Sequence, residues 1–248
     1  MKNYRKENEE FVSGRRLKLS AEDAGEAPSD VISSPDKVVD AIYRGILMGR
    51  FVPGQKLIEA DLGLSFGVSR GPIREALKRL CAEGVVESTR HRGAYIRVLT
   101  RREAIDFLEI LEVLTCFIAR KAVAAAGITK NAAKVRAAFE MLARFRNPLS
   151  RDKLLLGQRV HFYDTLIKAG GNSQIASVMP MMRIHLLRLQ VERYFSSSDL
   201  RNRIDEYAAV TEAVLSGNAP QAERAMRRHM KQARARLAKL PDEAFARN

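Results

Sequence analysis

Beyond Thr100 the sequence carries almost no strand signal, and this constrains the fold more than any other feature of the chain. Apolar residues recur there at helical spacing in successive segments. The segments are parted by Gly127, Asn147-Pro148, Gly170-Gly171-Asn172, Ser196-Ser197-Ser198 and Gly217-Asn218-Ala219-Pro220. This punctuation predicts six helices in one bundle-like domain, because amphipathic helices without a sheet bury their apolar stripes against one another. Pro180 falls inside the segment from Asn172 to Phe195, so that helix is expected to kink or to start late.

The stretch before Thr100 has a different rhythm. Val38, Val39, Ile42, Ile46 and Leu47 recur at helical spacing, and Phe51-Val52-Pro53-Gly54 then signals a turn, so a first helix ends near Gly49. Ile58, Leu62 and Phe66 predict a second, short helix, which Gly67 breaks. Ser69 is placed to cap a third helix carrying Ile73, Leu77 and Leu80, which stops near Gly84. Val85–Ser88 and Ala94–Val98 have strand character and are joined by Thr89-Arg90-His91-Arg92-Gly93. Three helices followed by a hairpin is the order of a winged helix-turn-helix. The expected fold is therefore mainly α: a winged helix-turn-helix over residues 35–100 and an all-α helical bundle over residues 101–240. Residues 1–34, where charges of both signs mix with Gly, Pro and Ser, predict a flexible arm, and residues 241–248 a C-terminal tail.

With 248 residues, of which 46% are hydrophobic, the chain can fill two modest cores. Its formal net charge of +14 makes a polyanion a reasonable partner. Cys81 and Cys116 stand far apart inside apolar helical patterns with no metal-ligand spacing, which predicts small buried hydrophobes in a reducing compartment. The basic start runs into Glu7, Glu9 and Glu10 with no apolar signal core, and no stretch has the length of a membrane span. The expected location is the cytoplasm.

In a helix-turn-helix the second helix of the motif enters the major groove, where base edges present a distinct pattern of donors and acceptors. Val68-Ser69-Arg70-Gly71-Pro72-Ile73-Arg74-Glu75-Ala76-Leu77 is the candidate. Arg70 and Arg74 are four residues apart and share one face, opposite Ile73, Leu77 and Leu80. Each guanidinium can fork onto guanine or phosphate. Gly71 removes a side chain where backbone has to approach DNA, Pro72 is tolerated in a first turn, and Lys78 is placed for phosphate. Arg92 and Gly93 fall at the tip of the hairpin, where a wing touches a groove or backbone.

Four blocks in fixed order, Gly49–Leu57, Val68–Leu77, Leu80–Val86 and Arg92–Ala94, resemble the GntR family of bacterial transcription regulators. The resemblance gives Ser69, Arg70, Gly71, Pro72 and Arg74 recognition-helix roles and Arg92 and Gly93 wing-tip roles. It also implies a homodimer reading an inverted repeat of operator DNA, more often as a repressor. Ala60 stands where some members carry an arginine that contacts DNA.

Residues 101–240 resemble the FCD subgroup, notably over Phe162–Asn172 and Ala213–His229. Many such effector domains hold a divalent metal with an Asp and three His. Those four positions fall here on Arg159, Tyr163, Tyr207 and His229, and an arginine cannot ligate a cation, so no metal is expected. His161 is two residues from position 163 and points elsewhere, and His185 with His229 gives two ligands at best. The same four residues offer donors suited to a carboxylate, and Arg183, ahead of Arg188, is expected to add a second fork. A small organic anion is thus the expected effector, although Leu111 replaces an arginine common in first helices of this type. A DNA-tethered enzyme is the weaker alternative, since neither a phosphate loop nor a nucleophile motif is present. A non-specific nucleic-acid-binding protein suits the charge but leaves the large second domain without a role.

Overall fold

The computed structural model describes residues 35–89, 93–126, 129–146 and 154–247. The chain divides into two compact units. Of the described residues, those up to Val98 together with Met181–Gln190 form one, and those of Leu99–Pro180 together with the residues from Val191 onward form the other.

The first unit contains α1 (Pro35–Leu47), β1 (Lys56–Leu57), α2 (Glu59–Phe66), α3 (Arg70–Ala82), β2 (Val86–Thr89) and β3 (Gly93–Ile96). The two-residue strand β1 is too short for alternation to show in the sequence. It pairs with β3 through Lys56↔Tyr95 and Leu57↔Ala94, giving an antiparallel sheet of order β1-β3-β2. Gly67 ends α2 with a φ of 66°, a left-handed turn that residues with a Cβ rarely adopt, and α3 begins three residues later. Ile42, Ile46, Ile73, Leu80 and Ile96 are fully buried in the core. The segment Met181–Gln190, most of α8 (Met181–Val191), completes that core by adding Leu186, with Met182 and Leu189 packed alongside.

The second unit contains α4 (Arg101–Ala126), α5 (Thr129–Ala143), α6 (Leu154–Ala169), α7 (Ser173–Val178), α9 (Ser197–Leu215) and α10 (Ala219–Ala238). Pro180 splits the segment from Asn172 to Phe195 into α7 and α8, so seven α-helices follow Thr100 among the described residues instead of six. Helix starts are capped by side chains. Asn172 accepts from Gln174 N, Asn218 from Gln221 N, and Ser196 forms a reciprocal box with Asp199. The end of the chain is folded onto this unit. Arg101 donates to the carbonyls of Ala238 and Leu240 at 3.1 and 2.7 Å and pairs with Asp242, and Ala246 N donates to Leu99 O at 3.1 Å. No helix among the described residues is long and apolar enough to cross a membrane.

Candidate functional sites: an exposed reading helix and a buried arginine cluster

Helix α3 turns Ile73, Ala76, Leu77 and Leu80 into the core and leaves Arg70, Gly71, Arg74 and Lys78 exposed, with Pro72 half-buried. Arg70, Arg74 and Lys78 therefore form a cationic row at one-turn intervals. Arg74 Nε donates to Glu59 Oε2 at 2.8 Å, which ties the row to the start of α2. Arg79 is held at 2.6 Å by Asp36 and at 2.6 Å by Glu75. Arg70 and Lys78 form no ion pair with the described residues. Ser69 takes the N-cap position, but its side chain makes no capping hydrogen bond, contrary to the sequence reading, and its hydroxyl faces solvent. A Cβ on Gly71 would meet nothing within 4 Å, so nothing among the described residues demands glycine there. Gly93 has a φ of 89° and pairs with Thr89, the last pair of the hairpin before its loop. Arg92 and the rest of the wing tip lie outside the described residues.

The second unit gathers four of the predicted residues in its interior. Arg159 and Tyr163 project from α6, Tyr207 from α9 and His229 from α10. Arg159 Nε donates to the Tyr207 hydroxyl at 3.2 Å. The Tyr207 ring lies 4.5 Å from His229, 5.1 Å from Phe162 and 6.2 Å from Tyr163, centroid to centroid. His229 Nδ1 is 2.8 Å from Glu206 Oε2, and Arg236 clasps the same carboxylate at 2.6 and 2.8 Å. Burial pushes the Glu206 carboxyl up, but the hydrogen bonds from Arg236 and His229 outweigh it and hold the group at about 2.

Arg203, from α9, is the second cation of this interior. Its Nη1 lies 3.3 Å from both oxygens of Glu192, and its guanidinium stacks 4.5 Å from the Phe195 ring centroid. Arg159 Nη1 lies 3.7 Å from the same Glu192 Oε2. Burial, reinforced by the charge of Arg159, lowers the Arg203 guanidinium to about 10. Arg159 Nη1 and Nη2, Arg203 Nε and Nη2, and both polar atoms of the Gln158 side chain are buried without a hydrogen-bond partner.

Two family profiles match in chain order: the bacterial regulatory proteins of the gntR family over residues 35–96, and the FCD domain over residues 106–232. The chain belongs to the GntR family. It is a DNA-binding transcription regulator whose second unit is an FCD domain. The probable D-xylose utilization operon transcriptional repressor of Paenarthrobacter nicotinovorans is 25% identical over 196 residues, covering 78% of this chain and 84% of that protein. The HTH-type transcriptional repressor GlaR of Escherichia coli K12 is 26% identical over 195 residues, covering 75% and 87%. The solved structure of E. coli McbR/YncC superimposes with a TM-score of 0.70 at 18% identity, covering 84% of this chain and 98% of that one, a likeness of fold.

In this GntR regulator the four positions that the resemblance assigns to the metal of many FCD domains come together, but their chemistry does not fit one. Arg159 brings a fixed positive charge with no lone pair to donate. No group of three or more His, Cys, Asp or Glu suited to a metal occurs among the described residues. Arg183, expected from the sequence to add a second fork, stands on α8 in the winged-helix unit, its Nε 3.5 Å from where a Cβ on Gly84 would lie. Pro180 breaks the helical run ahead of α8, and Leu186 of α8 packs into the core of that unit. His185 goes with it and is buried there. Both cysteines are free. Cys81 is only half-buried, whereas burial pushes the Cys116 thiol up to about 11.

The sequence reading missed Arg203, Glu192, Glu206 and Arg236. Arg203 left a trace: it occupies an inward position in the stripe Leu200, Arg203, Ile204, Tyr207, Val210, Val214, where a cation has no reason to be unless the interior pairs or uses it.

Proposed function

We propose that this GntR regulator is a repressor governed by a small organic anion that binds between Arg159 and Arg203 in the FCD domain. The observation that carries the reading is the pair of buried guanidiniums with unpartnered N–H groups. A desolvated donor without an acceptor costs about 1–3 kcal/mol, and more when charged, so such groups persist where something meets them in the working protein. Two cations share one internal carboxylate, Glu192, which leaves positive charge in excess beside them. The rings of Phe162, Tyr163 and His229 pack around Tyr207, whose own ring lies 5.9 Å from the Arg159 guanidinium, an aromatic neighbourhood suited to the apolar body of an organic acid.

Arg70, Arg74 and Lys78 on α3, with Ser69, Gly71 and Pro72 at its start, read base edges and phosphates, while Gly93 and Arg92 carry the wing. Two copies act on an inverted repeat in the cytoplasm, without catalysis. An apolar stripe on α4 supports the dimer: Ile110 is 61% and Val113 70% exposed, and half-buried Leu114 and Phe117 complete the same face. A second copy of the chain is the partner that a twofold operator supplies.

Selection from a random DNA pool at fixed salt should return an inverted repeat, whereas a non-specific binder would return no consensus. Thermal unfolding of the full chain across a panel of organic acids and divalent cations tests the effector class. Carboxylates should stabilise the protein, and the Arg159→Gln variant should not respond. Stabilisation by a transition metal alone would refute the anion.

A further inference from the structure

Glu192 has three properties that set it apart from the other carboxylates of the interior. First, it is the acceptor on which both buried guanidiniums converge, Arg203 Nη1 at 3.3 Å and Arg159 Nη1 at 3.7 Å from one oxygen. Second, these distances are long. Charge-assisted hydrogen bonds close to about 2.7–2.9 Å, and Arg236 and Glu206 achieve 2.6 and 2.8 Å nearby. Glu192 offsets one of the two positive charges and leaves most of the arginines' donors unmet. Third, its side chain is 23% exposed, against 6% for Arg159 and 1% for Arg203. The carboxylate can turn out to water, and the arginines cannot.

Its place in the chain gives such a movement a consequence. Glu192 opens the 3-10 turn Glu192–Tyr194, which follows α8 without an intervening residue. Residues Met181–Gln190 of α8 belong to the winged-helix unit, where Leu186 is part of the core. Pro180 breaks the helical run at the other end of α8, so the helix is joined along the chain to the second unit by a proline break on one side and by the Glu192 turn on the other.

We infer that Glu192 is an internal stand-in for the effector's carboxylate, and that an effector carboxylate displaces it from Arg159 and Arg203 and thereby releases the end of α8. The inference rests on the anion reading given above. Exchanging one carboxylate for another leaves the buried charge unchanged while supplying better-placed acceptors, so the competition is electrostatically even and is decided by geometry. The ligand class that fits is a monocarboxylate head inserted between the two guanidiniums. The signal reaches the winged helix through covalent continuity, because the turn that Glu192 anchors is the one in which α8 ends.

Acetate, the smallest carboxylate, serves as the probe, with the full-length protein. In the wild type, saturating acetate should raise amide hydrogen exchange across residues 181–194, and Glu192→Gln should show the same rise with no acetate present. Glu192→Gln should also bind acetate at least tenfold more tightly than wild type. Glu192→Asp keeps the charge on a shorter stem and should fall between them, which preserves the test if the glutamine variant does not fold. The exchange measurement is needed because deleting a negative charge would by itself raise affinity for an anion without moving α8. If acetate binds in a way that Arg159→Gln abolishes, yet exchange over 181–194 is unchanged and Glu192→Gln binds no more tightly, the stand-in is refuted and the anion site stands. If neither wild type nor Glu192→Gln binds acetate saturably, both readings fall.

Discussion

The two working regions of this protein are both built on arginines, and they use them in opposite ways. On α3 the guanidiniums of Arg70 and Arg74 remain exposed to water, Arg70 with no ion pair among the described residues and Arg74 held only by an exposed pair with Glu59. In the FCD domain Arg159 and Arg203 are stripped of water by folding itself and held beside too few acceptors. An exposed cation contributes little to stability and can contribute fully to binding, whereas a buried one makes stability and ligand binding the same question. Substitutions in the head should therefore separate DNA affinity from stability, and substitutions around the cluster should not.

The largest effect is expected at Glu206, whose loss takes the shared carboxylate away from the half-buried Arg236 and the buried His229. Glu206→Gln should lower unfolding free energy by on the order of 3 kcal/mol at neutral pH. An unperturbed glutamate titrates near 4.3 and Glu206 is held at about 2, so its contribution is complete above about pH 5. It is lost as the pH falls toward 2, and the variant should lack that segment of the acid-unfolding curve. Equal acid profiles for the two proteins would show that the Glu206 network contributes nothing.

Arg70→Ala should weaken operator binding by about 10- to 100-fold, as expected for loss of a bidentate base contact. Its unfolding midpoint in urea should match wild type to within about 0.5 kcal/mol. A variant that keeps its operator affinity would remove Arg70 from the reading face. A gain is expected at Ala60, which is exposed in the second residue of α2. Ala60→Arg should tighten operator binding several-fold, with a steeper salt dependence, by adding a cationic contact.

The smallest effect is the sharpest for the comparison. Gly71 has open space around it, so Gly71→Ala should stabilise the fold by about 0.5 kcal/mol through helix propensity while weakening DNA binding. Weaker folding and unchanged DNA affinity together would mean that glycine serves the fold there and not the groove.

The same contrast explains what could be read from the sequence. The reading helix is a local object: capping position, apolar period and cationic face lie within Ser69–Lys78, so periodicity alone places every residue. The cluster is assembled from α6, α9 and α10 and from the turn after α8. Resemblance located Arg159, Tyr163, Tyr207 and His229, but no pattern along the chain says that Glu192 meets Arg203 or that Glu206 meets Arg236. The unit to which α8 belongs was hidden for a related reason. The residues on either side of Pro180 share one amphipathic rhythm, and which core that rhythm faces is decided by packing and not by spacing.

A crystal structure of the full-length protein purified from cells, with elemental analysis of the same sample, tests the central claim most directly. The account predicts an organic anion seated on Arg159 and Arg203, with Glu192 turned away and no stoichiometric metal. A metal ion bound through His229, with Arg159 swung out of the interior, would contradict it.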